Sequence, residues 1–92
     1  MKRVVKVLEK ARQLLIDKGW CQGKYKNFDG QYCSLGAIDA VTKSEKLQDG
    51  AREILRGVTT PNVDQWNDRP YRTKKQVLGA FKRAITLAKN GS

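Results

Sequence analysis

Residues 73–91 read TKKQVLGAFKRAITLAKNG. Val77, Leu78, Phe81, Ala84, Ile85 and Ala88 recur at helical spacing and draw one apolar stripe along a single face. Thr73 and Gln76 stand three positions apart, the spacing of a capping box, in which hydroxyl and amide satisfy two orphan backbone donors reciprocally. Asn90-Gly91 supplies a stop. This stretch carries the clearest signal in the chain and sets the expectation of a mainly α domain.

Working towards the N-terminus, Asn67-Asp68-Arg69-Pro70 breaks the chain ahead of that helix. Thr60-Pro61 reads as an N-cap followed by proline at the first helical position and predicts a short helical turn through about Trp66. Asp49 is a good N-cap for a helix over 49–56, with Ile54-Leu55 as its buried edge and Gly57 as its stop. Over 34–43, Leu35, Ile38 and Val41 step by three, and small Gly36, Ala37 and Ala40 between them permit close approach. Residues 3–18 form an amphipathic helix on Val4, Leu8, Ala11 and Leu15, widened by Val5, Val7, Leu14 and Ile16 and ended by Gly19. Between these helices lie Trp20, Tyr25, Phe28 and Tyr32, punctuated by Gly23, Asn27 and Asp29-Gly30. Asp-Gly is a hairpin signal, so two very short strands are expected at 24–28 and 31–33, with their aromatics packed on the helices. The expected fold is one domain, residues 1–92, mainly α (small α+β), with four to five helices and one short β-hairpin near residues 24–33.

The 92 residues include 19 Lys and Arg against 9 Asp and Glu, giving a net charge of +10, with two cysteines and no histidine. Lacking histidine, the chain has no Ser-His-Asp triad, no Cys-His thiolate pair, no His-ligated metal and no imidazole switch. The longest apolar runs are two or three residues, such as Leu14-Leu15-Ile16, against the roughly 20 needed to span a bilayer. No continuous apolar stretch follows Met1-Lys2-Arg3, so no membrane contact and a cytoplasmic setting are expected, with Cys21 and Cys33 as free thiols in preference to the alternative of a disulfide stapling a small domain.

The positive charge is uneven. Residues 1–18 carry +4, residues 19–43 +1, residues 44–68 −2, and residues 69–92 +7 with no acidic group at all. Lys75, Lys82 and Lys89 recur every seven residues, roughly 10 Å apart along a helix axis, with Arg83 to one side and Arg69, Arg72 and Lys74 near the start. Lys74 and Lys75 fall in the first helical turn, where the helix dipole disfavours cations, so helix stability does not account for them. A basic row without acidic relief attracts nucleic-acid phosphates by counterion release, or an acidic protein surface, and otherwise serves solubility. No zinc-finger or RNP-type signature accompanies it, and the connection after the first helix is too long for a helix-turn-helix. The candidate binding residues are therefore Arg72, Lys74, Lys75, Lys82, Arg83 and Lys89, for non-specific nucleic-acid contact or for an acidic partner.

Three further clusters are distinctive: Gly19-Trp20-Cys21-Gln22-Gly23, Cys33-Ser34-Leu35-Gly36-Ala37 and Trp66-Asn67-Asp68-Arg69-Pro70. In order and over about residues 5–88 they resemble a family of small uncharacterised phage and bacterial proteins with W-C-Q-G, C-x-L-G-A and W-N-D-x-P signatures. Where members of that family often carry a longer segment between the first two motifs, this chain has nine residues, Lys24 to Tyr32. The resemblance implies a phage or mobile-element setting in a bacterial cytoplasm and no particular activity. From the residues themselves, Trp20 and Trp66 are large core groups whose indole N–H needs an acceptor, which Asn67 or Asp68 can supply. Buried free cysteine acts as a small hydrophobe. The functional alternative is a small-ligand or thiol pocket of Trp20, Cys21, Tyr25, Cys33, Trp66, Asn67 and Asp68. Cys33 lies near a helix start, which would lower its pKa and favour thiolate. Two cysteines with Asp29 or Asp68 match no zinc pattern, so no metal, no cofactor and no catalytic residue are expected, and a binding module is preferred over an enzyme.

Overall fold

The computed structural model describes residues 1–91 and consists of five helices joined by ordered loops. They are α1 (Lys2–Lys18), α2 (Ser34–Val41), α3 (Glu45–Val58), α4 (Val63–Asn67) and α5 (Lys74–Asn90). Helix α1 packs against α2, α3 and α5, α3 also packs against α5, and α2 holds the short α4. The Arg12 Nε donates to Leu78 O at 3.0 Å, while Glu9 lies 3.8 Å from Lys89. Residue numbers thus rise along one helix as they fall along the other, so α1 and α5 run antiparallel.

The amphipathic stripes meet in one core. Leu8, Ala11 and Leu15 of α1, Ala37 and Ile38 of α2, Ala51 and Leu55 of α3, and Val77, Ala80, Phe81 and Ala84 of α5 are fully buried. Each large side chain among them contributes roughly 1.5–3 kcal/mol by leaving water. Leu78 and Ile85 pack on the edge of this cluster. The α5 capping box forms as its spacing predicts: the Thr73 hydroxyl accepts from Gln76 N at 3.2 Å, and Gln76 Oε1 accepts from Thr73 N at 3.1 Å. Gly19 ends α1 at φ +101°, donating its N–H to Leu15 O. Among the described residues, no helix is long and apolar enough to cross a membrane.

Two helix starts differ from expectation. Helix α3 begins four residues before Asp49, because Ser44 accepts from Leu47 N at 3.2 Å and Leu47 already packs on the core. It also continues past Gly57 to Val58, with the glycine seated under Leu87. Helix α4 is capped by Asn62, whose Oδ1 accepts from Gln65 N at 3.0 Å, and not by Thr60, whose hydroxyl donates to Asn62 O.

The β-hairpin expected near residues 24–33 does not form. Tyr32 makes two isolated bridges, a parallel one to Trp20 and an antiparallel one to Lys26, and among the described residues no strand develops from either. Asp29-Gly30 does mark a turn, with Gly30 at φ +78°. The Asn27 side chain closes that turn by accepting from Asp29 N and Gln31 N. Two bonds do cross between the expected strands, Asn27 N to Gln31 O and Cys33 N to Tyr25 O, but they frame a single bridged pair. Beyond that pair the ladder does not continue: Tyr32 turns its own N–H and C=O to Gly19 O and Cys21 N, and Ser34 N is taken by Asn67 as α2 begins, while Gly23 N donates to Asp68 just past α4.

Candidate functional site

The three distinctive clusters meet at Asn67, the last residue of α4, which is 1% exposed. Its Oδ1 accepts from Trp20 Nε1 at 2.8 Å, Ser34 N at 3.0 Å and Ser34 Oγ at 2.6 Å. Its Nδ2 donates to Cys21 O at 3.2 Å and Asp68 Oδ1 at 2.9 Å. Gln22 Nε2 reinforces the junction by donating to Asn67 O and Arg69 O. One buried amide therefore joins the loop after α1, the start of α2 and the end of α4. Both of its donors and its oxygen are satisfied by protein, so this group holds the fold and has nothing left for a ligand.

The same close assembly explains Gly36. A Cβ there would collide with the Tyr25 carbonyl group, so only glycine lets α2 start against that loop. Cys33 caps α2, its sulfur accepting from Gly36 N at 3.3 Å. The expectation of an acidified thiol at this helix start is overturned: burial pushes the Cys33 thiol up to about 11, outweighing the N–H groups of Gly36 and Leu35. Burial also raises Cys21, whose thiol is directed at the carbonyls of Lys24 and Gln31. Both cysteines are buried free thiols, and neither is poised as a nucleophile at neutral pH.

Only part of the expected Trp/Cys pocket is a pocket. A cleft of about 180 Å³ is lined by Gly23, Lys24, Tyr25, Cys33, Asp64 and Asp68. It retains Tyr25, Cys33 and Asp68 from the expected set, whereas Trp20, Cys21 and Asn67 lie outside its lining and Trp66 faces another hollow. Asp64 of α4, one turn before the capping Asp68, was missed by the sequence reading. Its charge is the main reason the Tyr25 hydroxyl is held above its ordinary pKa.

The basic residues divide into neighbouring groups. Arg72, Lys75 and Arg83 line a hollow of about 400 Å³ with Trp66, Gln76 and Gly79. Arg83 also borders the next hollow along α5, with Lys82, Thr86, Leu87 and Asn90. Lys89 lies beyond, where the end of α5 meets Lys2, Lys6 and Glu9 of α1. Lys74 is exposed and lines none of the three. Arg72 differs from the rest: its Nε donates to Trp66 O at 2.9 Å and its guanidinium stacks 4.0 Å from the Trp66 ring. Among the described residues, Lys74, Lys75, Lys82 and Arg83 stand in no ion pair. The sequence reading missed Lys2, and it placed Trp66 beside the cysteines when the ring instead floors the basic hollow. The Trp66–Arg72 spacing of six residues across a proline carries no periodic signal that would reveal this.

The match to known proteins covers nearly the whole chain: a family model described as a family of unknown function, DUF6197, spans residues 1–87, and the chain belongs to that family. No curated protein and no solved structure matches it.

Proposed function

We propose that this member of a family without an assigned function is a small basic binding protein that grips nucleic-acid phosphates non-specifically through the outward face of α5. The observation that carries this reading is the composition of that face. Five of the seventeen residues of α5 are Lys or Arg and none is acidic, while its far end, where Lys89 pairs with Glu9, adjoins Lys2 and Lys6. The Arg72–Lys75–Arg83 hollow offers three cations to a phosphate, with the Arg83 guanidinium seated over the small Gly79. A phage-type accessory role in a bacterial cytoplasm fits this reading and the sequence resemblance. Nothing in the cation pattern distinguishes one base from another, so shape and charge are the expected determinants.

Binding of labelled DNA or RNA to the full chain, titrated with salt, tests the proposal. Affinity falls steeply as salt rises, and Lys75→Glu with Lys82→Glu lowers it by about a hundredfold at ~50 mM salt and flattens the salt slope by about 2. No binding to either polymer at ~50 mM salt overturns the reading. A surface that ignores nucleic acid yet binds an acidic protein in a salt-sensitive manner would transfer the same cations to a protein partner.

A further inference from the structure

The connection between α1 and α2 displays a feature that neither the Asn67 junction nor the α5 face uses. Phe28 is 101% exposed at its tip, and Tyr25 three residues earlier is 52% exposed. The segment alternates cations and rings: Lys24, Tyr25, Lys26 and, after Asn27, Phe28. The Lys24 ammonium lies 5.3 Å from the Phe28 ring centre, and the Lys26 ammonium 5.5 Å from that of Tyr32.

The tip is closed by hydrogen bonds on both sides of the ring. Asn27 N donates to Gln31 O, Gly30 N to Asn27 O, and Asn27 Nδ2 to Gln31 Oε1 at 2.8 Å. With the two bonds that Asn27 Oδ1 accepts, the turn has little freedom to fold Phe28 back onto the core. The ring is thus presented to solvent by a closed turn, with the Lys24 ammonium over one face and the other face open. Burial cannot explain its position, since it is as exposed as in an unfolded chain.

We propose that Phe28 is a stacking platform for an unpaired base, with Lys24 and Lys26 meeting the adjoining phosphates, so that the chain prefers single-stranded nucleic acid. The inference rests on the reading of the chain as a nucleic-acid binder. An exposed ring with the Lys24 ammonium over it and Lys26 two residues away in sequence matches both chemical halves of a nucleotide, the π face of the base and the charge of its phosphate. In a duplex the base faces are covered by their neighbours, so the ring gains a partner only on a single strand. One phenyl ring is a weak anchor for a lipid surface, where stable attachment takes two signals.

The test uses the full chain with a labelled oligothymidylate of about 20 nucleotides and a duplex of the same length, at ~50 mM salt. The single strand is expected to bind more tightly. Phe28→Ala should weaken it by about tenfold and leave the duplex unchanged, and Phe28→Trp should retain the preference. Because the ring makes no core contact, both variants keep the fold, which circular dichroism verifies. An unchanged single-strand affinity in Phe28→Ala, with both polymers weakened in the Lys75→Glu, Lys82→Glu variant, overturns the stacking platform and leaves the basic face standing. Equal weakening of both polymers by Phe28→Ala also overturns it, as does loss of binding to phosphatidylglycerol vesicles with strand binding intact. Failure of the wild type to bind either polymer removes this inference together with the reading beneath it.

Discussion

The Asn67 junction and the α5 face are opposites in how they use polar groups. At Asn67 every hydrogen-bonding atom of the side chain has a protein partner, and the residue is buried. On α5 the ammonium groups of Lys74, Lys75 and Lys82 point into water without an ion pair among the described residues. Most of the residues that look chemically unusual in the sequence, Trp20, the cysteines and Asn67, are taken up in holding three segments together. The ordinary lysines are the groups with interactions to offer. Function in this chain is therefore sought where structure makes the fewest demands.

The contribution of the junction is read most directly at Asn67 itself. Asn67→Ala removes the acceptor of Trp20 Nε1, Ser34 N and Ser34 Oγ and the donor to Cys21 O, and it leaves a cavity between α2 and α4. At about 1–3 kcal/mol for each buried polar group left without a partner, and with some groups recovering water, the expected loss is about 3–5 kcal/mol in urea denaturation. That is a large share of the stability of a small domain. A loss under about 1 kcal/mol would mean that the junction is as dispensable as an exposed lysine.

Cys33 sharpens the same contrast through pH. Its thiol is raised to about 11 by burial, against an ordinary value of 9.0. The folded state therefore keeps the proton after the unfolded chain has released it. The associated stability is fully present below about pH 9 and is lost as pH climbs through about 11. The two-unit gap corresponds to about 2–3 kcal/mol. Cys33→Ser preserves a capping oxygen for Gly36 N and removes this titration. The stability difference between wild type and variant should therefore drift against the wild type by about that amount between pH 9 and pH 11. A constant difference across that range would place the sulfur in contact with solvent.

Most helices were legible because their apolar spacing and caps are local. The Thr73–Gln76 box, the Gly19 stop and the α5 stripe all depend on residues within one or two turns of each other. The acceptor for Trp20 was also foreseeable, since a buried indole requires one and Asn67 is a short polar side chain beside another tryptophan. The hairpin failed for the opposite reason. Its second strand is cut short where α2 begins: Tyr32 spends its backbone groups on Gly19 and Cys21, and Ser34 N bonds to Asn67 across a separation of 33 residues that no local pattern encodes. Asp64 and Trp66 illustrate the same limit at the sites. Which hollow each one lines is decided by the rotation of the five-residue α4, too short to show a period. Cys33 was misjudged because its helix start was visible in the sequence and its burial was not.

The smallest effect probes the α5 face by setting its two demands against each other. Lys75 sits in the first turn of α5, where unsatisfied N–H groups give the helix end a partial positive charge. A cation there is slightly unfavourable to the helix and a carboxylate slightly favourable. Lys75→Glu should therefore raise stability by about 0.3–1 kcal/mol at low salt, an increment that fades as salt screens the dipole. The same substitution removes a phosphate contact from the hollow shared with Arg72 and Arg83, so nucleic-acid affinity should fall while the melting temperature rises. Movement in opposite directions identifies a residue placed at the expense of its own helix. If stability and affinity fell together, Lys75 would have a structural duty on α5, and the division between a committed junction and an available face would fail at its most exposed point.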